Sequence, residues 1–393
     1  MGLRLLPLAI FFLFWSGEKP IIPPPQSPPF AKKLGGSTVA SQDTLQKLKL
    51  MFAGDIMSQL PQIESARTEV PGQYDFSECF QYIRPVLEEA DVAIGNLEFT
   101  MPGTPPYTGY PQFRTPDDMA PAIKEGGFDI LVGANNHAND SGWRGVEHTI
   151  EAVSRNGFLH TGTFYNQQER DVFYPMIFYK KGFKIALVNY THHTNGIKTT
   201  PPVIVNRLEM DVVKRDLETA KAMKPDVIIA FLHWGDEHQL YENANQRGVA
   251  RLLHQWGADM VIGSHPHVVQ PIKSETIRGS SKKYLTAYSL GNFVSSQPFP
   301  HTEGGIILEV NLEKKNKETT IGETSYIPVF RYDPLKDGKR HFFIVPISRY
   351  EDGREGELGM SQYDINKMNA FSQNTRERLN SFGAVERVLR LKE

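Results

Sequence analysis

Five short apolar runs in this chain end abruptly at aspartate, glutamate, asparagine or histidine. Together with the polar residues that close them, they span 48–55, 91–98, 128–137, 227–233 and 260–267. Runs this short and this continuously apolar predict strands that are buried on both faces of a sheet. Open α/β sheets place their ligands beyond the carboxyl ends of such strands. The five polar ends are therefore expected to meet in one crevice.

Helix-like segments alternate with these strands. Apolar positions spaced by three and four residues predict amphipathic helices over 76–90, 146–156, 210–223 and 244–256. Repeated alternation of helix and strand predicts an α/β fold.

The pattern changes after Asn292. Strand-like runs at 305–310, 324–331 and 341–345 have only polar loops between them. Antiparallel pairing of these strands is predicted because no helix separates them. The last stretch, 364–391, predicts one or two helices.

The N-terminus has the pattern of an export signal. Arg4 precedes an unbroken apolar run from Leu5 to Trp15, which is shorter than the roughly 20 residues of a membrane span. The segment could be cleaved or could stay as an anchor, and an apolar tail without a targeting role is the alternative. We expect a bacterial protein exported to the periplasm or cell surface, with membrane anchoring left open.

These patterns divide the chain into four predicted parts. Residues 1–17 form the signal or anchor, and the proline-rich stretch 18–47 is an extended linker. The folded body is expected over 48–345, followed by a helical extension over 346–393.

Composition narrows the function classes. The 393 residues are 40% hydrophobic and 22% charged, which is a globular balance, and the formal net charge is −2. Without a basic field, no nucleic-acid partner is expected. The single cysteine, Cys79, excludes an internal disulfide and a cysteine-based zinc site.

Histidines supply the sharpest candidate chemistry. In Ser264-His265-Pro266-His267, two imidazoles two positions apart can reach one metal ion or two. His233 closes another apolar run. Each of these histidines, taken alone, could equally be a hydrogen-bonded loop or core residue. Because four other strand ends with polar residues are expected nearby, metal ligation is favoured.

The remaining polar ends add oxygen donors. Asn136 offers an amide oxygen, and the adjacent His137 could act as a general acid, although an asparagine-rich turn is the alternative. Asp55 and Glu98 are carboxylates at the ends of apolar strands, where a charge is costly unless a cation pairs with it. A helix N-cap would also explain either carboxylate. Such donors suit Mn, Fe or Zn. The neighbouring pair His192-His193 could line the same crevice and contact substrate, but its spacing matches no ligand pattern, so a loop role is favoured.

Six segments, in order, carry a family resemblance. They are Gly54-Asp55-Ile56-Met57, Gly95-Asn96-Leu97-Glu98, 135–142, His233-Trp234-Gly235-Asp236-Glu237, 257–270 and Tyr288-Ser289-Leu290-Gly291-Asn292-Phe293. Over about 48–293 the chain resembles the CapA (or PgsA) capsule-synthesis family, which is associated with poly-γ-glutamate. That family is similar to the calcineurin-like metallophosphoesterases.

The resemblance implies a sandwich of two central β-sheets flanked by helices, with two divalent metal ions. Asp55 and His267 would hold one ion. The other ion would be held by Asn136, His233 and His265, and Glu98 would bridge the two ions. His137 would be the proton donor, supported by Asp140, while Asn96, Glu237 and Asn292 would line or extend the site. Metallophosphoesterases usually have a histidine at the position of Met57, and an aspartate at that of Glu98. These departures weaken the expected metal binding.

Two functions follow from these expectations. The first is an exported, metal-dependent hydrolase of capsule or poly-γ-glutamate biosynthesis that acts on a phosphoester or envelope polymer. The alternative is a non-catalytic, membrane-associated scaffold that binds or helps to export an anionic polymer. In either case a membrane synthase or export complex is the expected protein partner.

Overall fold

The computed structural model describes residues 45–276, 283–316, 318–336 and 338–389. The predicted export signal and nearly all of the predicted linker lie outside these residues. Within them, no helix combines the length and the apolar character needed to cross a membrane.

Strands occur throughout the folded body. Their bounds are β1 Gln46–Ile56, β2 Val92–Leu97, β3 Ile130–Val132, β4 Leu159–Thr161, β5 Thr163–Phe164, β6 Met176–Lys180, β7 Phe183–Thr191, β8 Ile204–Val205, β9 Val227–His233, β10 Met260–Ser264, β11 Ile272–Thr276, β12 Lys283–Ala287, β13 Asn292–Val294, β14 Gly304–Lys315, β15 Glu318–Tyr332, β16 Leu335–Lys336, β17 Lys339–Arg340, β18 Phe343–Pro346 and β19 Val385–Glu386.

Helices connect these strands. Their bounds are α1 Leu60–Ala66, α2 Arg84–Leu87, α3 Met119–Glu125, α4 Gly142–Arg155, α5 Gln167–Phe173, α6 Met210–Ala222, α7 Ala244–Trp256, α8 Ile347–Tyr350 and α9 Gln362–Asn380, with 3₁₀ turns at Ser77–Phe80 and Glu355–Leu358.

Two large sheets form the centre of the molecule. The first has the order β18-β15-β14-β1-β2-β3-β4, with β13 beside β1 and β19 beside β15; the second has the order β11-β12-β10-β9-β7-β6. The strands β1 to β4, and β7, β9, β10 and β12, pair in parallel. The predicted antiparallel arrangement after Asn292 is confirmed by β14, β15 and β18.

The main core lies between the two sheets. Phe52 and Ile94 of the first sheet and Ile229 and Phe231 of the second belong to one buried cluster. Separate buried clusters cover the outer faces: α3 packs on the first sheet, and α6 and α7 pack on the second. The predicted α/β sandwich of two sheets flanked by helices is thus confirmed.

Two predicted helices differ from the structure. The segment 76–90 is broken into the 3₁₀ turn and α2, because Pro85 lacks the N–H that a continuous helix would need at that point. In the segment 364–391, predicted as one or two helices, the described residues to 389 form one helix, α9, and then β19, which pairs in parallel with β15.

The C-terminal segment packs on the body. Met368, Phe371 and Leu379 of α9 lie in the same buried cluster as the inner faces of the sheets. The proposed division at 345/346 stays a prediction, as does the one at 47/48.

Gly54 sets the distance between the ends of β1 and β13. A Cβ atom at Gly54 would lie 2.0 Å from the backbone oxygen of Gly291, and the N–H of Asp55 donates to that oxygen at 3.0 Å. Glycine therefore allows Asp55 and Asn292 to stand side by side.

Gly54→Ala is expected to destabilise the protein by about 1–3 kcal/mol, because two backbones would have to move apart. Chemical denaturation measures the change. Gly248→Ala in α7 is the matched control, because a Cβ there meets no atom within 4 Å. The control is expected to be neutral, or to stabilise by about 0.5–1 kcal/mol. Equal stability of the two variants would contradict the steric argument.

Candidate metal centre

The polar ends of the strands meet at one edge of both sheets. Asp55 pairs in register with Asn96 and with Asn292, and His233 pairs with Ser264. The predicted convergence of the five ends follows from this register.

The backbone at the end of β10 is unusual. His265 and His267 have φ angles of 98° and 60°, in a region that side chains with a Cβ rarely occupy. The N–H of His265 donates to Oδ2 of Asp55 at 3.3 Å, which helps to hold this conformation. Such strain is typical of segments that place functional side chains.

A first group of donors consists of Asp55, Glu98 and His267. Oδ2 of Asp55 lies 3.2 Å from Nδ1 of His267, and Oε1 of Glu98 lies 3.9 Å from Nε2 of the same ring. One donor atom from each residue lies within 4.8 Å of the others, so a single ion could contact all three. The structure thus brings together the residues predicted for the first metal.

A second group consists of Glu98, His233 and His265. Nε2 of His233 lies 3.5 Å from Oε1 of Glu98 and 3.0 Å from Nδ1 of His265. Oδ1 of Asn136 lies 2.8 Å from the same His233 nitrogen. Glu98 belongs to both groups, which is the position expected for a bridging carboxylate. The roles of the residues in both groups as metal ligands stay predictions.

The charges of these side chains fit a cation. Both carboxylate oxygens of Glu98 are buried and have no hydrogen-bond donor among the residues that the structure describes. Burial raises the pKa of this carboxyl well above its ordinary value, and the nearby Asp55 carboxylate raises it further. Burial and neighbouring imidazoles lower the pKa values of His233 and His265, which leaves both rings neutral, as metal ligation requires. The donors therefore fit divalent ions.

Asn96 and Asn292 lie behind the candidate ligands. Nδ2 of Asn96 donates to Oδ1 of Asp55 at 2.8 Å and lies 3.2 Å from Nδ1 of His233. Oδ1 of Asn292 lies 3.1 Å from Nδ1 of His267. Both asparagines are buried, and such contacts orient metal ligands. Their predicted contact with substrate stays a prediction.

His137 and Asp140 form a buried pair beside the two groups. Nδ1 of His137 lies 2.6 Å from Oδ2 of Asp140, which also accepts the backbone N–H of Phe113 at 2.6 Å. The Phe113 ring packs on the imidazole with centroids 4.1 Å apart. The Asp140 carboxylate accepts the Nδ1 proton of His137, and proton exchange at Nε2 stays a prediction.

The sequence favours a loop role for His192 and His193 and does not indicate that they form a third group of possible ligands with His265. The rings of His192 and His193 lie 4.9 and 5.1 Å from the ring of His265, and one nitrogen of each can approach a common point. Nδ1 of His192 lies 3.0 Å from the carbonyl oxygen of His233. The only available signal was the position of the pair after β7, whose Thr191 is in register with His233.

Asn195 is a second residue that the sequence did not indicate. Its Nδ2 lies 3.5 Å from Nε2 of His137, and its Oδ1 accepts a hydrogen bond from Asn136 at 3.4 Å. Burial, reinforced by the neighbouring charge of His192, lowers the pKa of His193 to about 4. The loop after β7 therefore forms one wall of the site with uncharged polar groups.

Comparison with known proteins gives the family. The family model described as bacterial capsule synthesis protein PGA_cap matches residues 49–297. The chain is 29% identical over 276 residues to the PGA biosynthesis protein CapA of Bacillus subtilis, covering 68% of each protein. It is 26% identical over 278 residues to the capsule biosynthesis protein CapA of Bacillus anthracis, covering 68% of this chain but only 64% of that relative.

Solved structures show a more distant likeness. The calcineurin-like phosphoesterase YfkN from Bacillus subtilis is 14% identical with a TM-score of 0.45, covering 85% of this chain and 99% of that one. A phosphatase from Mycoplasma pneumoniae is 13% identical with a TM-score of 0.42, covering 73% and 95%. No activity is inferred from scores this low, and the architecture rests on the sheet topology described above.

Proposed function

Because the chain belongs to the bacterial capsule synthesis protein PGA_cap family, we propose that it is a metal-dependent hydrolase of capsule or poly-γ-glutamate biosynthesis. One observation carries the proposal. Glu98 presents two buried oxygens without donors between two groups of imidazole and carboxylate ligands. A structural carboxylate would be expected to have donors, whereas a ligand that joins two cations needs its lone pairs free.

The residues have two proposed roles, metal binding and proton transfer. Asp55, Glu98 and His267 would hold one divalent ion. Asn136, His233 and His265, again with Glu98, would hold the other. Such ions activate water and stabilise negative charge on the oxygens of the reacting group.

His137 is the proposed proton donor. Asp140 fixes the Nδ1 proton at 2.6 Å, so a protonated imidazole presents its Nε2–H to the leaving group. The proton in this step comes from His137, a residue of the chain itself.

The proposed substrate is a phosphoester or another linkage in an anionic envelope polymer. Two divalent ions would attract such a substrate, although the chain itself has a net charge of −2. We further propose that the protein is exported, with residues 1–17 as signal or anchor, and that it works beside a membrane synthase or export complex.

Elemental analysis of the full chain tests this proposal. About two divalent ions per chain are expected, with loss of both in His265→Ala/His267→Ala. The matched control is His148→Ala/His341→Ala, which removes two imidazoles that pair with Asp117 and Glu78 away from the centre. Wild-type protein that holds no ion after dialysis would refute a metal-dependent hydrolase.

A non-catalytic scaffold is the second candidate, and Met57 favours it. The Met57 side chain is 1% exposed and lies in an apolar cluster, so His267 is the only imidazole of the first group. A scaffold would bind an anionic polymer without turnover. Phosphoester hydrolysis that His137→Ala abolishes would exclude it.

A further inference from the structure

The first group of donors is short of ligands. Among the described residues it consists of Asp55, Glu98 and His267, and Glu98 is shared with the second group. Met57, two residues after Asp55, contributes nothing because its side chain is buried in the apolar cluster outside the centre. Three protein donors leave a divalent ion with open positions.

Glu237 is a further carboxylate at the mouth of the centre. One of its oxygens and one ring nitrogen each of His265 and His267 lie within 4.8 Å of one another. His267 therefore belongs both to the first group and to a group that includes Glu237. A cation bound at the ring nitrogen of His267 that faces Glu237 is within reach of this carboxylate.

The backbone holds the loop of Glu237 against the histidine segment. The N–H of Trp234 donates to the carbonyl of Ser264 at 3.0 Å, and the N–H of His238 donates to that of Pro266 at 2.8 Å. These two bonds bracket Glu237, so its place beside the histidines is fixed by main-chain contacts on both sides.

The neighbouring carboxylate is engaged elsewhere. Oδ2 of Asp236 accepts a hydrogen bond from Nδ2 of Asn243 at 2.7 Å, at the start of α7. The turn thus places its two acidic side chains differently: Asp236 secures the helix, and Glu237 faces the centre.

We propose that Glu237 is a metal ligand that approaches from the mouth and completes the coordination of the ion held by Asp55, Glu98 and His267. This inference rests on the proposed function. Glu237 is exposed, so its carboxylate can approach the ion from the solvent side. Without a cation, a carboxylate at the entrance would repel an anionic substrate; bound to one, its charge is offset.

Glu237→Gln tests the inference, with Asp236→Asn as the matched control. Both variants remove one negative charge from the same exposed turn and keep the shape of the side chain. Calorimetric titration of the full metal-free chain with Mn²⁺ measures the affinity of each ion. We expect Glu237→Gln to lower the affinity for one of the two ions about tenfold or more. We expect Asp236→Asn to leave both affinities unchanged.

The outcomes separate the inference from the proposed function. Two ions bound by Glu237→Gln as tightly as by the wild type would overturn the inference alone. The same result with a raised KM would make Glu237 a substrate contact instead. Wild-type protein that binds no Mn²⁺ would overturn the proposed function and the inference with it.

Discussion

His137→Ala is expected to lower kcat for phosphodiester hydrolysis by about 10²–10⁴-fold while the metal content stays unchanged. The loss follows from removal of the proton donor, since departure of an alkoxide without a proton is costly. His137 is not among the donors of either metal group, so the ions should remain. Hydrolysis of a chromogenic phosphodiester, measured beside elemental analysis of the same samples, tests both parts.

The pairing of His137 with Asp140 predicts how a second variant behaves. Asp140→Asn keeps the imidazole but replaces the charged acceptor of the Nδ1 proton, at 2.6 Å, with a neutral amide. A smaller loss than in His137→Ala is expected, together with a displaced pH profile of kcat. His148→Ala, at a half-buried position of α4 where the ring pairs with Asp117, is the control for removing an imidazole. If His137→Ala kept kcat near the wild-type value, His137 would not be the proton donor.

The convergence of the site could be predicted because it follows from local patterns. A continuous apolar run such as 227–232 identifies a buried strand, and the next residue, His233, must then stand at the edge of the sheet. Parallel pairing brings the ends of neighbouring strands to the same edge. Helix α7 was predicted with its observed bounds, 244–256, because its apolar spacing and the following Gly257 are also local signals.

Contacts between distant segments could not be predicted in this way. His192 and His193 reach His265 only because β7 lies beside β9 and ends level with it. The spacing of these histidines along the chain does not predict that register. The same holds for Asn195, whose contact with His137 crosses 58 positions.

Side-chain roles were also harder to predict than positions. The family resemblance implies that Asn96 and Asn292 line the site, and their contact with substrate stays a prediction. In the structure these side chains are buried and hydrogen-bond to Asp55 or lie against His267. Which way a polar side chain at a strand end points depends on the alternation set by the register, and the bulge between Ala53 and Asp55 shifts that register locally.

Glu98→Gln is expected to raise the stability of the metal-free protein at about pH 8 by about 1–3 kcal/mol and to abolish stabilisation by added metal. In the metal-free chain both oxygens of Glu98 are buried without donors, beside the carboxylate of Asp55. Glutamine removes the charge and keeps the shape. The same substitution removes the ligand shared by both metal groups. Thermal unfolding with chelator and with excess Mn²⁺ measures the two effects.

The direction of the pH dependence follows from the raised pKa of Glu98. In the unfolded chain this carboxyl ionises near its ordinary value of about 4.3, whereas in the fold it holds its proton to higher pH. The metal-free wild type therefore loses stability as pH rises above that value, and Glu98→Gln does not, so the difference between them grows with pH. Metal reverses the order, because an ion at about 100 times its Kd stabilises the wild type alone by about 2.7 kcal/mol. A metal-free Glu98→Gln variant less stable than the wild type at about pH 8 would show that the ionised carboxylate is accommodated without a cation, and the main argument for a dinuclear centre would fail with it.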